Sequence, residues 1–180
     1  MLNGGGVAVI PTDTVYGLAA HPGIPDAVAR LYTIKGREEN KPIALLAADA
    51  DAPEKAGFAI EGEAKRLANA FWPGALTLVL SADGRSEGFR VPDHEWTRRL
   101  IAACGGVLRV TSANLSGMRD AADAADALAS VGLAADIVAD GGRCPGGTPS
   151  AVVRVAADGT LEVLRPLQGY DILGGHPAGE

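Results

Sequence analysis

Short apolar runs alternate with helix-patterned segments along the chain, and that alternation restricts it to few architectures. Residues 7–10 (VAVI), 75–81 (ALTLVLS), 106–112 (GVLRVTS), 135–140 (ADIVAD), 150–155 (SAVVRV) and 161–166 (LEVLRP) have strand length and are bounded by Gly, Pro or polar residues. KPIALLAAD (41–49) reads as a further strand, and GFRVP (88–92) as a short extended piece. Between them, Pro25 and Asp26 open a helical pattern carried by Val28, Leu31, Tyr32 and Ile34 and stopped by Gly36. Residues 61–74, 97–104 and the Ala-rich stretch 120–132 read as further helices. Interleaved strands and helices make an α/β chain. Its last strands follow one another too closely for helical crossovers, so the sheet is expected to be mixed.

The 180 residues show no linker or composition shift, so one domain over 1–180 is expected, with a small, polar tail from about 167 that frays. Lys and Arg number 16 against 22 acids, a net charge of −6. That balance opposes broad nucleic-acid binding, which needs a basic footprint, but permits a local basic pocket. Cys104 and Cys144 form no disulfide framework and have no metal-ligand spacing, which suits structural thiols in a reducing cytoplasm. The first residues lack a basic n-region, and no segment reaches the length of a membrane span. His21, His94 and His176 are scattered, so no protein metal site is expected. Walker, G-x-G-x-x-G and G-x-S-x-G signatures are absent. Trp72 and Trp96 read as packing residues.

Polar residues at strand ends are where α/β architectures place ligands. Thr12, Asp13, Thr14 and Tyr16 follow the first strand. Lys35, Arg37 and Lys41 precede the second, Ser112, Asn114 and Ser116 follow VLRVT, and Ser150 follows a Gly-rich loop. Singly, each has a bland explanation as a turn-former, a helix-end charge or a cap. Together they offer a point charge, a planar guanidinium and short donors suited to phosphate and carboxylate oxygens. Arg90 is ambiguous between solvent and a cleft.

The ordered stretches IPTDTVYGLAA, LYTIKGREENKPI, FWPGALTLVL, RVPDH, TSANLSG and TPSAVV…LEVLRP resemble the Sua5/YrdC family from about residue 7 to residue 166, in its short form without a C-terminal Sua5 domain. That resemblance implies a three-layer fold with a twisted mixed sheet and a large concave cleft. It implies condensation of L-threonine, bicarbonate and ATP, with Mg²⁺, to threonylcarbamoyl-adenylate and pyrophosphate. The product would feed t⁶A modification of tRNA through transient threonylcarbamoyl-transferase proteins, so tRNA is an indirect partner. By the family's motifs, Lys35, Arg37, Ser112 and Asn114 would hold the ATP phosphates, and Lys41 and Arg165 would approach the nucleotide. Thr14, Arg90 and Ser150 would bind L-threonine. Leu46 stands where many members carry His, Ala151 where many carry Thr, and Asp120 where a Ser often helps hold ATP. Competing readings are a carbamoyl-adenylate-forming enzyme like the domain of hydrogenase maturation proteins, a double-stranded RNA or tRNA binder of the same fold, and the YciO branch.

Overall fold

The computed structural model describes residues 1–174 and 176–177. A short 3₁₀ turn (Leu2–Gly4) leads into β1 (Ala8–Ile10), and a tight loop returns the chain as β2 (Gly17–Ala20), antiparallel to β1. There follow α1 (Pro25–Lys35), β3 (Leu45–Ala47), α2 (Ala52–Lys55), α3 (Gly62–Phe71) and the hairpin of β4 (Leu76–Ala82) and β5 (Arg85–Arg90). Then come α4 (Glu95–Ala103), β6 (Val107–Ser112), α5 (Ala124–Ser130) and β7 (Ile137–Val138). The chain ends in β8 (Ala151–Val155), β9 (Leu161–Arg165) and the small pair β10 (Tyr170–Asp171) and β11 (His176–Pro177).

The main sheet has nine strands in the order β7-β1-β2-β6-β3-β5-β4-β8-β9. β1–β7, β3–β5 and β4–β8 pair in parallel, and the other neighbours are antiparallel. The mixed α/β architecture expected from the sequence is therefore present.

Residue alternation decides which face each helix covers. On β4, Leu76, Leu78 and Leu80 join Phe89 of β5 and Val153 of β8 in a core closed by Ala64, Leu67 and Ala68 of α3. On the same side, Val7, Val9, Leu18 and Ala20 pack against Ala27 and Leu31 of α1 and Ala127 of α5. The opposite face is covered only in part: Ile10, Ala19, Leu46, Leu108 and Val110 meet Ile101 and Cys104 at α4. Burying a Leu, Ile or Phe side chain contributes about 1.5–3 kcal/mol. Beyond α4 the second face carries Thr77, Val79, Gly88, Arg90, Val152 and Arg154, and it stays open as a cleft.

Several boundaries differ from the sequence reading. The strand expected over 41–49 is confined to Leu45–Ala47, and the extended piece at 88–92 is the end of the longer β5. The Ala-rich helix begins only at Ala124, because the Asp123 carboxylate caps it by accepting from the Asp126 N–H. Trp96 is not a packing residue; it is 49% exposed. Trp72 is half-buried and donates Nε1–H to the Leu76 carbonyl at 2.7 Å. Within the segment from about 167, Leu167, Tyr170 and buried Ile172 join the α3 core, and Tyr170 meets Phe71 edge-on. Residues 175 and 178–180 lie outside the described residues.

Candidate active site

The cleft has a volume of about 430 Å³. Its inner end is built by the loop between β1 and β2. Thr12 Oγ1 donates to the Val15 carbonyl at 2.6 Å and accepts from the Thr14 and Val15 N–H groups at 3.1 and 3.3 Å. Thr12 thus forms the turn itself, as its bland reading held. That turn lets Thr14 line the cleft and turns the Asp13 carboxylate onto Arg90. A second loop, 141–150, is fastened over the first. Tyr16 Oη donates to the Gly142 carbonyl at 2.7 Å and accepts from the Gly141 N–H at 3.0 Å, and the Gly146 N–H reaches the Asp13 carbonyl at 3.0 Å. A Cβ on Gly146 would sit 2.7 Å from that same carbonyl, so only glycine allows the approach.

Arg90 is 5% exposed and faces the cleft from the end of β5. Its Nε donates to the Gly74 carbonyl at 3.0 Å and its Nη1 to Thr14 Oγ1 at 2.9 Å, while Nη2 forms an ion pair with Asp13. Burial pulls its pKa below the usual arginine value, and the Asp13 carboxylate opposes that shift. A guanidinium carries five N–H donors, and these contacts occupy three. Beside it, Thr77 of β4 and Ser150 at the start of β8 share a hydroxyl–hydroxyl bond of 3.0 Å. Arg165 of β9 donates Nε–H to the Ser150 carbonyl at 2.6 Å and Nη2–H to its Oγ at 3.4 Å.

The outer end is cationic. Arg37, Arg154 and Arg165 line it, while the Glu87 carboxylate is held bidentately by Arg109 at 2.6 and 2.7 Å. Arg37 is steered by its own loop, donating to the Lys41 and Pro42 carbonyls at 2.9 and 3.1 Å. Ser112, at the end of β6, joins it in the lining.

The expected phosphate-binding residues are not all brought to the cleft. Lys35 lines no part of it and is only 3% exposed. The buried stripe of α1 runs Ala27, Leu31, Lys35, so helical spacing carries the ammonium inward. There it donates to the Ser112 and Asn114 carbonyls at 2.6 Å each and to Asn114 Oδ1 at 3.1 Å. Burial, with a smaller contribution from Arg37, lowers its pKa to about 8, and Asp120 opposes the shift. Asn114 likewise turns inward: its Oδ1 accepts from Ser112 Oγ at 2.6 Å and its Nδ2 donates to the Met118 carbonyl at 2.6 Å. Lys41 points to solvent and pairs with Glu38 at 3.1 Å. Thr14, Arg37, Arg90, Ser112, Ser150 and Arg165 do converge on the cleft. Leu46 forms part of its floor, and Ala151 is fully buried beneath.

Sequence reasoning noted Asp13 without giving it a role, and it missed Thr77. The signal for Thr77 was a hydroxyl interrupting the apolar run LTLVL. Among the described residues no group of three or more His, Cys, Asp or Glu side chains could hold a metal ion. His94 caps α4, accepting from the Thr97 N–H at 3.3 Å, and both cysteines are buried and free.

A family model, Sua5_yciO_yrdC, described as "Telomere recombination", matches residues 1–166. The chain belongs to the Sua5/YciO/YrdC family. It is 36% identical, over 89% of its length, to a protein of Bacillus subtilis named threonylcarbamoyl-AMP synthase, and it spans 49% of that relative. A Bos taurus protein of the same name is 32% identical, with 97% of this chain and 72% of the relative covered. Among solved structures, P. abyssi Sua5 complexed with L-threonine superposes with a TM-score of 0.81 at 30% identity, over 92% of this chain and 51% of that one. The chain therefore spans about half the length of the Bacillus subtilis and P. abyssi relatives. No helix among the described residues of this family member is long and apolar enough to cross a membrane.

Proposed function

We propose that the chain is an L-threonylcarbamoyladenylate synthase, an enzyme of the nucleotidyl-transfer class. It condenses L-threonine, bicarbonate and MgATP to threonylcarbamoyl-AMP and pyrophosphate. The observation that carries this reading is one cleft with two chemically distinct ends. One end holds a buried guanidinium flanked by hydroxyls; the other has arginines and a serine without a competing free carboxylate in the lining.

In this reading the two N–H groups of Arg90 not taken by Asp13, Thr14 and Gly74 grip the amino acid carboxylate. The threonine amine adds to bicarbonate with loss of water, and the carbamate oxygen attacks the α-phosphorus of ATP as pyrophosphate leaves. Arg37 and Arg165 meet the phosphate oxygens and neutralise charge that builds on the leaving group, while Ser112, its hydrogen given to Asn114, lines the cleft beside them. Lys35 and Asn114 act one step back, fixing the Ser112–Met118 loop that presents Ser112. Mg²⁺, an oxygen-seeking cation, arrives with the nucleotide as part of the substrate. The protein's contribution is position and charge, so no protein nucleophile is needed. The product would pass to threonylcarbamoyl-transferase proteins for t⁶A formation on tRNA in the cytoplasm.

The test is pyrophosphate release from MgATP with bicarbonate and individual amino acids, with the product mass determined. Release that requires both L-threonine and bicarbonate, with the mass of threonylcarbamoyl-AMP, is expected. Release only with carbamoyl phosphate would replace this reading with carbamoyl-adenylate formation.

A further inference from the structure

The floor of the cleft is mostly apolar or bare: Leu46, Val79, Val110, Val152, Gly17 and Gly88 line it. Thr77 interrupts that floor. It is 6% exposed, and strand register sets it beside Val152 of β8 and in the row of Arg90, because Phe89 of β5 opposes Leu78. Its hydroxyl has a protein partner in Ser150 Oγ at 3.0 Å, which also accepts from Arg165 at 3.4 Å.

The free hydrogens and lone pairs of these two hydroxyls limit what they can bind. Each hydroxyl has one hydrogen and two lone pairs. If Ser150 donates to Thr77, the Thr77 hydrogen and one lone pair on each oxygen remain. If Thr77 donates to Ser150, the Ser150 hydrogen and both Thr77 lone pairs remain. Either way the pair keeps one hydrogen to give and two lone pairs to offer, on two residues that line the cleft. A carboxylate can use only the hydrogen and an ammonium only the lone pairs. A hydroxyl uses both.

We infer that Thr77, together with Ser150, reads the side-chain hydroxyl of the amino acid substrate, and that Thr77 is a specificity-determining residue of this enzyme. The inference rests on the proposed amino acid site at Arg90. It follows from position: an α-amino acid whose carboxylate meets Arg90 holds its β-substituent one strand away, which is the spacing from β5 to β4. Leu46 and Val110 then supply the apolar wall for a β-methyl group. Leu46 is apolar and places no polar partner for the hydroxyl, so the discrimination passes to Thr77 and Ser150. A ribose hydroxyl of the nucleotide has the same chemistry, and the experiment separates the two sources.

Binding of L-threonine and of L-2-aminobutyrate, which lacks only the hydroxyl, is measured by calorimetry on wild type, Thr77→Val and Thr77→Ser in the presence of MgATP. In parallel, kcat/KM for pyrophosphate release is determined with each amino acid, and with ATP against 2′-deoxy-ATP and 3′-deoxy-ATP. Thr77→Val is expected to reduce the preference for threonine over 2-aminobutyrate by about 10-fold or more, mainly through weaker threonine binding. Thr77→Ser keeps the hydroxyl and should keep the preference. Equal losses for both amino acids in Thr77→Val, or a lost preference in Thr77→Ser, overturn the inference. A changed preference for ATP over its deoxy analogues with an unchanged amino acid preference assigns the pair to the ribose and likewise overturns it. Threonine-selective binding without turnover in wild type sinks only the proposed function. No threonine binding at all sinks both.

Discussion

Asp13 shows how much of this site is held by a residue that need not touch substrate. Its carboxylate, 10% exposed, faces a guanidinium that is 7% exposed, and its backbone carbonyl anchors the 141–150 loop through Gly146. Removing one member of a buried ion pair leaves the other charge unpaired and costs about 3–5 kcal/mol. Asp13→Ala is accordingly expected to lower the unfolding free energy by about that amount in a denaturant titration. Asp13→Asn, which still accepts from Arg90, should lose less. If Asp13→Ala unfolds at the wild-type denaturant midpoint, the pair is not structural. The sequence motif Thr-Asp-Thr made all three residues look alike. Their division of labour, with Thr12 as turn-former, Asp13 as counter-ion and Thr14 as lining residue, depends on where Arg90 sits 76 residues away from Thr14. No local rule contains that separation.

Among the elements, α1 was legible as a helix, but which of its side chains it buries was not. A helix ending at Gly36 was legible, and the structure ends it there with Gly36 in the left-handed conformation. The apolar positions Val28, Leu31, Tyr32 and Ile34 carried the helical pattern, whereas the fully buried stripe is Ala27, Leu31, Lys35. A lysine in a core stripe carries no sequence signal, since its burial depends on acceptors that β6 and the following loop supply. Strand β2 was missed for the opposite reason: Gly-Leu-Ala-Ala is too short and plain to stand out. Its Gly17 fits because a Cβ there would lie 2.5 Å from Val110 Cγ1. The β4–β5 hairpin did carry a signal in Asp83-Gly84, whose positive φ angles of 51° and 73° suit a two-residue turn between strands.

Lys35 also links this element to pH. Its pKa falls from 10.5 to about 8 in the fold. Between about pH 8 and the unfolded value near 10.4, the unfolded chain therefore binds more protons than the folded one, and stability contributed by this group rises with pH. Below about pH 8 both states are protonated and the contribution is flat at its least favourable. Wild type is thus expected to gain unfolding free energy between pH 7.5 and pH 9.5 relative to Lys35→Met, which has no proton to release. Parallel pH profiles for the two proteins would show that the buried ammonium titrates as it does in the unfolded chain.

Across the whole molecule, a net charge of −6 coexists with a cleft lined by Arg37, Arg90, Arg154 and Arg165. Composition could exclude a broad basic face, but it could not reveal that Glu87, the acid in the cleft lining, is neutralised by Arg109 from β6. Asp120 is the exception at this end, a half-buried carboxylate whose field reaches Arg165 and Lys35. A unit charge about 10 Å from a phosphate is worth roughly 1–2 kcal/mol at the effective dielectric of a protein surface, and salt screens it over about 10 Å at 0.1 M. Asp120→Ser should therefore tighten ATP binding by about 3- to 10-fold at 50 mM salt, with a smaller gain at 300 mM. Glu54→Gln removes one negative charge from α2, away from the cleft lining, and should change ATP affinity little. The comparison separates a local field from net charge. If both substitutions tighten ATP equally, the molecule repels nucleotide as a whole. If only Asp120→Ser does, the cleft carries its own potential, and Asp120 weakens nucleotide binding at the end of the cleft where phosphates are proposed to dock.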